Sequence, residues 1–101
     1  MFQLIQTGTF AKWRTSLADA RSRYVIASRL DRLAHGQMGD VAAIGDSVSD
    51  LRIHFGPGFR IYFAREGSTI VILLCGGDKS TQARDISRAK ALAQEWRDAH
   101  G

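Results

Sequence analysis

A chain of 101 residues is one domain in size, with room for a single modest core. Its longest apolar run, Ile70 to Cys75, is far too short to span a bilayer, and one cysteine excludes an internal disulfide framework. Lysine and arginine number 14 against 10 acids, a net charge of +4, and 11 of those cations are arginine. Arginine suits bidentate contact with phosphate or carboxylate, so the balance favours a polyanionic or acidic partner.

In chain order, Met1 to Gln6 reads as a short first strand. No basic segment precedes its apolar residues, and with a single thiol the expected location is cytoplasmic. Thr9 is a candidate N-cap, with Phe10, Trp13 and Leu17 on one face of a short helix. Asp19 is the candidate cap of a longer helix to about His35, burying Ile26, Leu30 and Leu33, with Gly36 closing it. Val41 to Ile44 reads as an edge strand. Two alternating runs follow, then the buried run Ile70–Cys75, then a last helix capped by Ser80 or Thr81 and running to about Ala99. The expected fold is α+β in one domain, residues 1–101. It has an antiparallel or mixed twisted sheet of four to five strands, two N-terminal helices and a C-terminal helix, with the helices on one face.

The alternating runs carry the chemistry. Leu51, Ile53 and Phe55 point one way and Asp50, Arg52 and His54 the other, and Phe59, Ile61 and Phe63 alternate with Arg60 and Tyr62. A Gly56-Pro57-Gly58 turn would set His54 opposite Arg60 and Arg52 opposite Tyr62, gathering cations and an imidazole on one polar face. Lys79 follows the next strand and could swing over that face. Such a cluster suits a phosphate. For cleavage of RNA, arginines would stabilise charge on the phosphorane, His54 could take or give a proton, and Tyr62 could stack on a base or donate a hydrogen bond. The alternative is a solvated sheet face, on which arginine and tyrosine are ordinary strand residues. Gly76-Gly77-Asp78-Lys79-Ser80-Thr81 lacks phosphate-loop spacing, so its glycines read as a tight turn. Cys75 reads as a small core residue, and neither His35 nor His100 has metal-ligand spacing. No metal or cofactor is expected.

The run LRIHFGPGFRIYF, then IVILLCGGDKSTQARDI and a terminal AKALAQEW helix, resembles the phage-derived HigB-like branch of the RelE/ParE toxin family. The likeness covers almost the whole chain and rests chiefly on LR-x-x-x-G-x-G-x-R-x-x-F followed by L-L-x-G-G-D-K-S. It implies the toxin half of a type II toxin–antitoxin pair, held by a helix-turn-helix antitoxin. It also implies metal-independent cleavage of mRNA on the ribosome, or, as in ParE-like members, inhibition of DNA gyrase. A degenerate nucleic-acid binder is the third reading. Carried onto this sequence, Arg52, Arg60 and Lys79 are the basic positions and His54 stands where the family's general base varies. Tyr62 and Arg84 are the further RNA-binding candidates.

Overall fold

The computed structural model describes residues Met1–Gly101. The fold is α+β: a five-stranded mixed sheet and three helices. The strands are β1 (Gln3–Gln6), β2 (Val41–Gly45), β3 (Val48–Ile53), β4 (Phe59–Glu66) and β5 (Ile70–Asp78), in the order β1-β5-β4-β3-β2. β1 pairs parallel to β5, and every other pair is antiparallel. The helices are α1 (Gly8–Ser16), α2 (Ala20–Ala34) and α3 (Gln82–His100), the last preceded by a single 3₁₀ turn over Lys79–Thr81.

β5 is the hub because its side chains are apolar on both faces and it is flanked by strands on both sides. Val71 and Leu73 join Phe10 of α1, Ile26, Leu30 and Leu33 of α2, and Leu51, Ile53, Phe59, Ile61 and Phe63 of the sheet. Ile72, Leu74 and Cys75 face the other way, onto Ala89 and Ala93 of α3. Each fully buried aliphatic side chain here contributes about 1.5–3 kcal/mol relative to exposure. The helices therefore cover both faces, not one as expected: a strand apolar on both sides needs a layer on each.

The capping residues explain the helix ends. Thr7, two residues before the expected cap, accepts the Phe10 amide at 3.0 Å and donates its hydroxyl to the Leu74 carbonyl at 2.6 Å, tying α1 to β5. Asp19 caps α2 as expected, accepting the Arg21 amide and the Ser22 hydroxyl. The Ser22 hydroxyl first, and then the Arg21 amide, hold the Asp19 carboxyl below its ordinary value. Gly36, at φ 84°, follows the α2 C-cap in the left-handed conformation that ends helices cheaply. At the last helix Thr81, one of the two expected positions, stands at the N-cap of α3 but makes no capping hydrogen bond with its side chain. Asp78 instead caps the 3₁₀ turn, accepting the Ser80 amide at 2.8 Å.

Gly76 and Gly77 do not form a turn. They continue β5 because other groups must pass close to its backbone. A Cβ on Gly76 would overlap the Trp13 ring, and one on Gly77 would overlap the Asp85 carboxylate. Trp13 in turn packs edge-on against Phe59, with centroids 6.1 Å apart. Gly76→Ala should therefore destabilise the protein by about 1–3 kcal/mol through overpacking. Gly8→Ala, where a Cβ meets nothing within 4 Å, should cost nothing. Urea unfolding of the two variants against wild type checks the contrast.

Candidate functional site

The β3–β4 register decides which side chains meet. Arg52 lies opposite Arg60, Asp50 opposite Tyr62 and Ile53 opposite Phe59. The expected pairs, His54 with Arg60 and Arg52 with Tyr62, are displaced by two residues. The strands separate at Ile53 and rejoin at Phe59, so His54–Gly58 is a five-residue connection, with Gly56 and Gly58 both at positive φ. A shift of two preserves the faces, so Asp50, Arg52, Arg60 and Tyr62 still share a side. That side is the one α3 covers.

Burial changes what these groups can do. Arg60 is only 9% exposed, and its Nη1 donates to Oδ2 of Asp50, which has no exposed surface, at 2.8 Å. Arg52 Nε stands 3.5 Å from the other Asp50 oxygen, an ion contact too long to be a hydrogen bond, while 36% of the Arg52 side chain faces solvent. One buried carboxylate therefore sits between two arginines. Asp50 relieves the repulsion that two facing cations would otherwise bring, and Arg52 is the outward member of the set.

Tyr62 is fully buried, so it is not available to stack on a base. Its hydroxyl has no hydrogen-bond partner, and burial first, then Asp85 and Asp50, push it up to about 12. Cys75 opposite it is also raised to about 12, by burial and then by Asp85, and its Sγ contacts the Asp85 carbonyl at 3.7 Å. It is a buried core thiol and not a nucleophile at neutral pH.

His54 and Lys79 lie outside this sealed region. They line a shallow pocket of ≈ 280 Å³ with Phe55, Gly56, Pro57 and Gly58. The Lys79 stem lies against Gly58, where a Cβ would stand 3.1 Å from Lys79 Cγ and Cδ. Asp78 fixes the turn that carries Lys79. Its own carboxyl is held below the ordinary range by hydrogen bonds from the Ser80 hydroxyl and amide.

The residue that sequence reading missed is Asp40. Its Oδ2 lies 2.7 Å from His54 Nε2, and its carbonyl accepts the Arg52 amide at 2.8 Å. The His54 hydrogen bond, with Arg52 and Arg60 adding charge, holds the Asp40 carboxyl below its usual value. An ionised carboxylate only accepts, so Nε2 carries the proton and a neutral His54 presents its lone pair at Nδ1. The glycine-aspartate pair at Gly39-Asp40 was the available signal, but nothing local in sequence connects it with His54 fourteen positions on. Arg84 is not brought to this pocket. It is exposed on α3, 3.5 Å from Asp85, beside a different cleft. No group of three or more His, Cys, Asp or Glu side chains is arranged to hold a metal ion, and no helix is long and apolar enough to cross a membrane.

The chain is 45% identical over 93 residues to an uncharacterized protein of Haemophilus influenzae, a match covering 92% of this chain and 94% of that protein. No protein-family model matches it.

Two outcomes follow from this geometry. Removing Arg60 leaves the Asp50 charge buried without its closest partner, so Arg60→Ala should destabilise the fold by about 3–5 kcal/mol in denaturant unfolding, far more than Arg52→Ala. Asp40 titrates lower folded than unfolded, so the stability from its contact with His54 is complete above about pH 3.8 and is lost as pH falls through the depressed folded value. Carboxyl-carbon NMR should show the Asp40 midpoint below 3.8 in wild type and raised toward it in His54→Ala.

Proposed function

This chain belongs to the same family as the Haemophilus influenzae protein, and we propose that it is a toxin of the RelE/ParE type. In this reading it is the toxin half of a type II pair, acts as a ribosome-dependent mRNA endonuclease, and is held in check by a helix-turn-helix antitoxin. The sequence motifs running through Arg52, Arg60 and Lys79 suggest it. The observation that carries it is the oriented imidazole of His54, bound by Asp40 and sharing a pocket with Lys79, with Arg52 beside Asp40.

That arrangement suits attack by a ribose 2′-hydroxyl on the adjacent phosphate. Nδ1 of His54 takes the hydroxyl proton as the 2′-oxygen bonds to phosphorus, and the bond from phosphorus to the 5′-oxygen breaks. Lys79 and the outward guanidinium of Arg52 stabilise the charge that gathers on the phosphorane oxygens. The departing 5′-oxygen takes a proton from the Lys79 ammonium, leaving a 2′,3′-cyclic phosphate. Arg60, mostly buried on Asp50, serves as a positioning residue that holds the carboxylate against which Arg52 is set.

Gyrase inhibition is the second reading. It would be favoured by the neutralisation of Arg60, since a binding protein has no need of a free catalytic guanidinium.

Single-turnover cleavage of a ribosome-bound message separates the two. Arg52→Ala and Lys79→Ala should each slow cleavage about a hundredfold, by analogy with loss of one preorganised donor, while circular dichroism stays unchanged. His54→Ala should flatten the acid limb of the pH–rate profile. Full activity in folded Arg52→Ala and Lys79→Ala proteins would remove the nuclease reading, and gyrase supercoiling assays would then test the other.

A further inference from the structure

A cleft of ≈ 610 Å³ between α1 and α3 is larger than the ≈ 280 Å³ His54–Lys79 pocket. It exists because β1 pairs with β5 only from Ile70 to Leu73, whereas β5 runs on to Asp78. Beyond Leu73 the outer side of β5 has no strand neighbour, and the two helices lie on opposite faces of it. Trp13 and Gly76 form the floor. Lys12 stands on one wall, and Arg84 and Arg88 on the other.

The charges on these walls are poorly balanced. Arg84 and Arg88 are one helical turn apart, so they project from the same side of α3. Arg84 has Asp85 at 3.5 Å, and the second oxygen of Asp85 is taken by the Thr81 hydroxyl. Lys12 and Arg88 have no carboxylate within 4 Å. Three exposed cations thus face one buried acid. The 3₁₀ turn bearing Lys79 leads directly into α3, so this cleft and the His54 pocket are joined by a few residues of chain.

We propose that the cleft between α1 and α3 binds the phosphate backbone of a single-stranded RNA, with Lys12, Arg84 and Arg88 as its phosphate contacts. The proposal rests on the RNA reading of the neighbouring pocket and extends it to where the strand runs. An acidic protein segment is the competing occupant, and the lining disfavours it. Only two of the ten lining residues are hydrophobic, so the cleft offers little for the apolar anchors on which protein segments depend. Hydroxyls and cations around one indole are what a sugar–phosphate chain uses.

The test is fluorescence anisotropy of the full chain with a labelled short oligouridine carrying 2′-O-methyl riboses, which lacks the nucleophile and stays intact. The exposed double variant Lys12→Ala/Arg88→Ala should bind about tenfold more weakly for each lost charge-assisted contact. Its dependence of log affinity on log salt should be shallower by about 1.4, at roughly 0.7 per phosphate released. Arg21→Ala/Arg32→Ala, which removes the same charge from α2, should leave the slope unchanged. Equal weakening by both double variants would overturn the proposal, because net charge alone would then explain binding. Displacement by uridine monophosphate as effective as by the strand would reassign the cleft to free nucleotides. Polyglutamate binding as tight as RNA, with the same sensitivity to Lys12→Ala/Arg88→Ala, would reassign it to an acidic protein. The probe cannot be cleaved, so a protein that binds it through the cleft yet cuts no message keeps this inference and loses the nuclease. One that cuts messages while the double variant binds normally does the reverse.

Discussion

The contact between Asp50 and Arg60 lies on the face of the sheet that α3 covers, and both partners are almost wholly removed from water. Desolvating two charges costs several kcal/mol each, and their attraction offsets that only with good geometry and further polar support. The cross-strand register supplies the geometry by setting Arg52 and Arg60 directly opposite each other, two residues along the strands from the Asp50–Tyr62 pair and on the same face. The support is incomplete, since one Asp50 oxygen has only the longer contact with Arg52. Such a pair adds little net stability over a hydrophobic one, but it penalises any register that would strand the carboxylate. It therefore acts on the pairing of β3 with β4 more than on the depth of the core.

The same pair divides labour among the arginines. Arg60 is committed inward. Arg52 touches the carboxylate with one edge, keeps part of its guanidinium in solvent, and is tied through its backbone amide to Asp40. An arginine whose position is set from within, yet whose charge reaches outward, is preorganised for an anion without paying side-chain entropy at the moment of binding. Tyr62 and Cys75, both pushed to about 12, stay neutral beside it and contribute shape, not protons.

Much of the architecture was legible in the sequence because it depends on period and on local chemistry. The stripe Ile26, Leu30, Leu33 and the Asp19 cap are local features, and the structure has them where the spacing sets them. Face membership in the β3–β4 hairpin was legible for the same reason, since alternation has a period of two. Register was not: a two-residue slip leaves every side chain on its expected face, so the pattern cannot distinguish Arg52 opposite Tyr62 from Arg52 opposite Arg60. Depth was not legible either. Alternation says that Tyr62 and Arg60 point away from Phe63 and Ile61, but not that α3 lies over them. Gly76 and Gly77 looked like a turn because the groups that crowd them, Trp13 and Asp85, come from two other elements.

The orientation of His54 depends on an even longer chain of tertiary contacts. Its partner Asp40 comes from the connection between α2 and β2, and that connection passes tightly under Arg29 of α2. Gly39, at φ 69°, has no room for a Cβ, which would overlap the Arg29 guanidinium. Any side chain there would meet both backbone strain and a clash, and would displace the next residue, Asp40, from the Arg52 amide and from the imidazole together. The tautomer of an exposed histidine is thus set from the opposite layer of the fold, through a glycine that touches no candidate catalytic group. A site held in this way can place an imidazole on a flexible-looking five-residue connection and still present one nitrogen in a fixed direction, which proton transfer requires.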